Sequence, residues 1–172
     1  DNVGRDMFSR IVYGARISLQ IGFISVGISL LIGTVLGAVA GFYGKAADTI
    51  IMRIVDIMLS IPSVLLAIVI ASVLGTGMQN LMIAIGISSV PSYARIVRAS
   101  ILSLRDQEYI EAARLAGCSD FRIIFRHIMP NILAPVIVQV TLSLGLAILN
   151  ASALSFLGLG VQAPQPEWGS ML

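Results

Sequence analysis

The sequence predicts an all-α protein, a polytopic bundle of transmembrane helices, on three observations. Hydrophobic residues make up 57% of the 172-residue chain, against about 45–50% in ordinary globular chains. Charged residues make up 12%, about half the usual ~25% and too few to cover a water-soluble domain. The apolar residues also gather into four segments near the length a bilayer requires, about 20 residues as helix. Disorder is excluded by the same figures. The single cysteine, Cys118, excludes a disulfide-built module. One histidine and one cysteine are too few soft ligands for a zinc site, and no cofactor or catalytic group is expected. The net charge of +2 gives no nucleic-acid footprint.

Segment A runs from Ile17 to Phe42, uncharged, with Gln20 its only strongly polar side chain. Segment B runs from about Ile50 to Leu74, and Pro62 is expected to kink it. Segment C starts at Leu81, meets Pro91, and spans only if the helix continues toward Leu102, which leaves Arg95 and Arg98 to snorkel at the membrane edge. Segment D runs from Ile132 to about Leu159 and contains Gln139 and Asn150. Ahead of A, Val3 to Gly14 reads either as an amphipathic helix on the outer interface, with Val3, Met7, Ile11 and Val12 toward lipid or protein, or as a basic tail.

The loops set the orientation. The A–B connection carries Lys45 and Arg53, and the C–D connection carries Arg95, Arg98, Arg105, Arg114, Arg122 and Arg126. The opposite side carries only Arg5, Arg10 and Arg16. The positive-inside rule therefore puts the A–B and C–D loops in the cytoplasm.

Within the spans, Ser25, Ser29, Gly33, Gly37 and Gly41 recur every four residues and let another helix backbone approach closely. Packing inside one subunit is favoured over a dimer seam. Arg53 and Asp56 are three apart and can pair, as an interfacial ion pair or a gate latch. Asn150 either lines a pathway or makes one interhelical hydrogen bond. No span carries a paired acidic and basic set at mid-depth, which argues against an ion-coupled carrier. No phosphate-binding G-x-x-x-x-G-K-[ST] loop is present either, so the energy for any pumping comes from another chain.

The loop between C and D, residues 103–130, reads as two short helices. The first begins near Asp106, a candidate N-cap, and stops at Gly117, which takes a left-handed conformation at low cost. It carries Ala112, Ala113 and Ala116 as a small face, with Glu108, Glu111 and Arg114 around it. Such a face seats in a partner's groove or rests on the chain's own bundle; the residues alone leave both open. The second helix begins at Ser119, with Phe121, Ile124, Phe125 and Ile128 as its apolar face, and Pro130 marks the passage into D.

Glu111-Ala112-Ala113, then Gly117 after three residues, then Ile128-Met129-Pro130, resemble the EAA loop of ABC importer permeases. The family's pattern ends I-x-L-P. Here His127 stands at the isoleucine position, as in the peptide-importer branch, and Met129 at the leucine position. The flanks Gly4-Arg5-Asp6, Tyr13-Gly14-Ala15-Arg16, Arg53 to Pro62, Leu154 to Gly160 and Pro166-Glu167-Trp168-Gly169 resemble the dipeptide/oligopeptide/nickel permease subfamily across essentially the whole chain.

The resemblance implies a type I ABC importer permease fold. It implies residues 1–172 as a piece of a longer membrane domain, with about one further span on each side. It also implies an inner-membrane subunit that imports peptides, nickel chelates or related solutes. Its expected partners are a homologous second permease in a heterodimer, two cytoplasmic ATP-binding subunits, an extracytoplasmic binding protein and the bilayer, with no nucleic acid. Asp106, Glu108, Tyr109, Glu111, Ala112, Ala113, Ala116 and Gly117 would then couple to an ATPase. Arg53, Asp56, Pro62 and Asn150 are the gate or packing candidates, and Leu157 to Trp168 would face the binding protein or form part of an outer gate. The competing classes are a secondary carrier, driven by an ion gradient, and a membrane scaffold, which shows no flux. An intramembrane enzyme is disfavoured because Ser88 and Ser89 have no evident base.

Overall fold

A computed structural model of the chain describes residues 6–161 and 165–171. Among these residues the regular elements are helical. They are α1 (Met7–Tyr43), α2 (Lys45–Leu59), α3 (Ser63–Leu74), α4 (Met78–Leu104), α5 (Glu108–Leu115), α6 (Asp120–Arg122) and α7 (Leu133–Phe156). Between α6 and α7 the chain stays helical but changes pitch, through a π-helical stretch Ile123–Ile128 and a 3-10 turn Met129–Ile132. α1, α4 and the run Asp120–Phe156 are each long and apolar enough to cross a membrane. α2 and α3 add a fourth crossing if the pair is one broken span.

α1 absorbs two of the expected elements. Segment A is its larger part, and residues 7–14 are its first turns, with no break at Gly14. A separate interfacial helix is therefore corrected to a continuation of the span; Val3, Gly4 and Arg5 lie outside the described residues. A glycine inside a helix costs only about 1 kcal/mol, and the space beside Gly14 is filled by the Trp168 ring and the Pro166 carbonyl. Asp6 starts the helix. Its carboxylate accepts the Ser9 hydroxyl and, at 3.0 Å, the Phe8 N–H. The bond from Ser9, helped by the backbone, holds this exposed carboxyl below its ordinary range.

Segment B is broken rather than kinked. The Ser60 N–H closes the last turn of α2 on the carbonyls of Asp56 and Ile57, at 3.0 and 3.3 Å. Pro62 has no N–H and holds the extended ψ of 132° at the cap of α3. Segment C does continue: α4 runs through Pro91 to Leu104. A membrane helix tolerates the one lost ladder bond when neighbours support it.

Packing divides the chain into two compact units. The first comprises Asp1–Ile28, Ile61–Ser89 and Leu142–Leu172. In it the buried Ser25 hydroxyl donates to the Met82 carbonyl at 3.1 Å, and Gly86 sits against Ile28. The second comprises Ser29–Ser60 and Val90–Thr141. Here Gly33, Gly37 and Gly41 of α1 lie against the backbone of α4 from Val90 to Ile101. The small-residue stripe is thus used within the chain, as the sequence favoured, because a bare glycine lets two backbones touch.

A Cβ at Gly37 would lie 2.5 Å from the Ala94 carbonyl oxygen and 2.8 Å from the Val97 Cβ. Neither atom is the free end of a flexible chain, so the helices must part. Gly37→Val is therefore expected to destabilise the detergent-solubilised protein by about 1–3 kcal/mol, the usual range for overpacking. Gly27→Ala, on the same helix with nothing within 4 Å, is expected to leave the thermal midpoint unchanged or raised. Equal midpoints for the two variants would place the α1–α4 seam elsewhere.

Candidate functional site

The site is built on α5, an eight-residue helix held at one face and open on the other. Its sequence alternates the two uses. Ile110 and Ala113, three apart, are buried. Glu108, Tyr109, Glu111, Ala112, Leu115 and Ala116 are exposed. Leu115 is 90% exposed, an unusual position for a leucine on a helix so short.

The held face sits in a core made by Phe42 from the end of α1, Val97 and Ile101 from α4, and Ile123, Ile128, Ile132 and Val136 from the π stretch onward. Ile110 is fully buried there, which is worth about 1.5–3 kcal/mol relative to exposure. Arg114 reaches back from α5, its guanidinium carbon 5.3 Å from the centroid of the Phe42 ring, a cation–π geometry. Glu108 and Glu111 lie in the first turn and Arg114 in the last, each matched to the helix dipole.

α5 ends in a Schellman motif. The Cys118 N–H donates to the Ala113 carbonyl at 3.1 Å, and the Gly117 N–H to the Arg114 carbonyl at 2.9 Å. Gly117 has φ +76°, the left-handed turn expected of it, with open space around it. Cys118 then packs on the core beside Ala113, the apolar contact that accompanies this motif.

Two local expectations are corrected. Asp106 does not cap α5; Gln107 occupies the cap position, its carbonyl taking the Ile110 N–H at 2.9 Å, while Asp106 pairs with Arg105 at 3.5 Å. Ala113 belongs to the buried face, so it seats α5 on its own chain rather than presenting it outward. The second loop helix also differs. Ser119 stands at the cap of α6 without a side-chain bond. Phe121 and Phe125 are exposed and stack on each other at 4.3 Å, while Ile123 and Ile128 are buried. A π-helix, with its i→i+5 hydrogen bonds, holds more residues per turn than an α-helix, so Ile123 and Ile128, five apart, share the buried side where the α-helical spacing read from the sequence would separate them.

Charged side chains join α4 and its C-terminal end to α2 and α1. Arg98 holds Asp48 through two bonds, Nε to Oδ1 and Nη2 to Oδ2, the latter 2.6 Å. Arg95 holds Asp56 at 2.8 Å. Both arginines were expected to snorkel; instead they bind the first and last turns of α2, and Asp56 takes Arg95 rather than Arg53. The half-buried, two-bonded Arg98–Asp48 pair carries more weight than the exposed Arg95–Asp56 pair, which is screened by solvent. Arg105 donates from Nη1 to the Gly41 carbonyl at 3.1 Å, satisfying a terminal carbonyl of α1. Asp48 and Arg98 lie fifty residues apart, so no local signal in the sequence announces them.

Pro62 marks the α2–α3 break, and Asn150 is half-buried on α7. Pro166 to Met171 fold onto α1. The fully buried Glu167 carboxylate accepts the Ser18 hydroxyl at 3.4 Å and the N–H groups of Gly169 and Ser170 at 3.0 and 2.9 Å. The Trp168 indole donates to the Ile11 carbonyl at 3.1 Å. Residues 162–164 of the expected outer segment lie outside the described residues.

Residues 33–172 match the family described as binding-protein-dependent transport system inner membrane component. Over all 172 residues the chain is 58% identical to the dipeptide transport system permease protein DppC of Alkalihalophilus pseudofirmus. It is 52% identical to the di/tripeptide permease DppC of Pseudomonas aeruginosa and 48% identical to the glutathione permease GsiD of Pectobacterium atrosepticum. The chain spans 57% of the length of each of these relatives. Its fold is similar to that of the inward-facing MetNI methionine ABC transporter, with a TM-score of 0.78 at 20% identity over 96% of this chain and 79% of that one.

Ile110→Ala is expected to release α5 from its seat at about 2–5 kcal/mol. Amide exchange across residues 108–117 would rise by about tenfold or more, while Leu115→Ala leaves it unchanged. Unchanged protection in the Ile110 variant would mean that α5 is held by some other contact.

Proposed function

This chain belongs to the binding-protein-dependent inner-membrane transport components, and on that premise we propose that it is the core of a permease subunit in an ATP-driven importer of short peptides. The relatives' names support short peptides over other solutes: dipeptides, di- and tripeptides, and glutathione. Hydrolysis of ATP falls to separate cytoplasmic subunits, since the chain has no phosphate-binding loop. A second, homologous permease completes the pathway, and an extracytoplasmic binding protein delivers the solute.

The single observation that carries the coupling role is the division of α5. One face is locked to the ends of α1 and α4, and the other presents Leu115 and two small alanines to solvent. A lever needs both properties. The fixed face transmits displacement, and the free face takes hold of the ATPase. In this reading Glu108, Tyr109, Glu111, Ala112, Leu115 and Ala116 dock into the groove of one ATPase, while Ala113, Gly117 and Cys118 hold the helix to the spans. Nucleotide-driven closure then biases the spans between two arrangements by differential contact, the only way a partner can shift such an equilibrium. Arg98–Asp48 and Arg95–Asp56 carry the motion from α4 into α2.

The test is transport by the full-length subunit reconstituted with its partners. Leu115→Arg and Ala116→Trp, on the free face, are expected to lower the yield of co-purified ATPase by about tenfold without lowering the thermal midpoint of the permease. Gly117→Val strains the left-handed turn and is expected to leave ATPase bound while uptake of a labelled dipeptide falls by about tenfold. Full uptake and full ATPase yield in all three variants would remove α5 from the coupling role.

A further inference from the structure

The second unit carries an apolar groove beside the core that seats α5. One wall is α1 from Leu30 to Tyr43, and the other is the helical run from Ile124 to Val136; the volume between them is about 560 Å³. Apart from the Thr34 and Tyr43 hydroxyls, its lining carries no polar side chain. Ile132 and Val136 also belong to the cluster that buries Ile110, and Ala38 and Met129 pack against that cluster. Side chains that line the groove are therefore part of the packing that holds α5.

The groove has the depth of one leaflet. From Leu30 to Tyr43, α1 rises about 20 Å, and one leaflet's share of the hydrocarbon core is about 15 Å. No charged residue lies between Ile17 and Gly44. Tyr43 thus stands at the membrane–water boundary, a usual place for tyrosine, and the arginine-rich loops make this the cytoplasmic side.

Three cations surround that end. Lys45 is two residues beyond Tyr43, Arg122 is two before Ile124, and Arg126 follows Phe125. All three are exposed and form no ion pair among the described residues. Between Cys118 and Thr141 the only carboxylate is Asp120, in the first turn of its helix. Asp48, on α2, is already held by Arg98. A positive excess therefore remains at the mouth of the groove. Phe121 and Phe125 lie among these arginines, stacked on each other and 70% and 58% exposed. Exposed rings interleaved with arginines suit the headgroup boundary of a bilayer, where the rings are buried and the guanidinium groups stay wet.

We propose that the groove binds an anionic phospholipid of the cytoplasmic leaflet, one acyl chain lying along Leu30 to Tyr43 and the phosphate held among Lys45, Arg122 and Arg126. Guanidinium groups bond phosphate oxygens in pairs. The cytoplasmic leaflet also supplies the anionic lipids that basic clusters at a span's end attract. An acyl chain in the groove gives its walls dispersion contacts that an empty groove lacks, so the bound lipid also steadies the seat of α5. The inference needs only the membrane location and stands apart from the coupling role proposed for α5.

The experiment uses the complete transporter in nanodiscs of phosphatidylcholine with about 10% phosphatidylglycerol as the probe. Lipids retained after transfer to detergent are counted by mass spectrometry, and an electron-microscopy map locates them. Phosphatidylglycerol should be enriched about tenfold over its bulk share, with acyl density in the groove. Arg122→Gln with Arg126→Gln should bring the enrichment down to the bulk share, and Arg122→Lys with Arg126→Lys should keep most of it. Ala38→Phe puts a ring in the groove and should remove the acyl density. Val35→Trp, at the exposed lip, gives the same reading should Ala38→Phe fail to fold. Amide exchange across residues 108–117 should be about threefold slower with phosphatidylglycerol than in phosphatidylcholine alone, and the Gln pair should abolish that difference. Equal enrichment in the unaltered transporter and the Gln pair would overturn the proposal. So would a map in which a protein helix fills the groove. Lipid seen in the groove with no change in exchange would overturn its effect on α5.

Discussion

The second unit depends on one contact: the seating of Ile110 and Ala113 in the core at the ends of α1 and α4. That core exists only because Gly37 and Gly41 let the backbone of α4 lie against α1, which brings Val97 and Ile101 beside Phe42. The seat then closes in three ways. Apolar burial of Ile110 contributes about 1.5–3 kcal/mol. Arg114 over the Phe42 ring fixes the rotation of α5. The Gly117–Cys118 turn satisfies the carbonyls that a short helix would otherwise leave bare. An eight-residue helix has little intrinsic stability in water, so without its seat α5 would not persist.

The sequence was most legible where one local rule acts alone. Uncharged runs gave the spans of α1 and α7, and an apolar run continued past Pro91 gave α4, to within a few residues at every boundary but the start of α1; the left-handed turn at Gly117 needed only its own residue type and position. Legibility failed where two rules compete. Pro62 and Pro91 look alike in sequence, yet one breaks a helix and the other is carried through. The difference lies in support: Pro91 sits in a helix pressed along the glycine seam, whereas Pro62 follows Ser60, whose N–H has already turned back on Asp56 and Ile57. The face of the second loop helix failed for a similar reason. The sequence reads with a period of 3.6, whereas the π stretch Ile123–Ile128 buries Ile123 and Ile128 and leaves Phe125 exposed beside Phe121. Partners distant in sequence, such as Asp48 with Arg98 and Ser18 with Glu167, leave no local trace at all.

Charge use separates the arginines into two kinds. Arg95, Arg98 and Arg105 are absorbed by the fold, on Asp56, Asp48 and the Gly41 carbonyl. Counting them for orientation remains sound, because the positive-inside rule concerns which side of the membrane a charge occupies and not its partner. Their structural role is a different matter. A bonded, half-buried guanidinium at the end of a span holds two helices together and is no longer available to lipid headgroups. Arg10 and Arg16 keep their charge unpaired within the described residues, so any partner they have is met from outside them.

The two faces of α5 also set a limit on how its alanines can be read. Ala112, Ala113 and Ala116 look equivalent in sequence, and all three suggest a small surface for a partner. Helical geometry divides them, since residues 110 and 113 share one face and 112, 115 and 116 turn away from it. A small residue at 113 admits α5 close to its own core, whereas small residues at 112 and 116 leave Leu115 standing clear between them. Exposure of a lone leucine is ordinary on a protein surface. Here it caps a helix whose other face, terminal turn and dipole charges are all committed to holding it still. Its backbone is already held, so a partner closing over it would have to order the side chain alone, and rigid presentation of this kind reduces the entropic cost of binding. Alanine at 113 lets the helix be fixed to its own core, and leucine at 115 is the large apolar side chain the fixed helix leaves exposed; in the coupling role proposed above, that is the side chain a partner would grip.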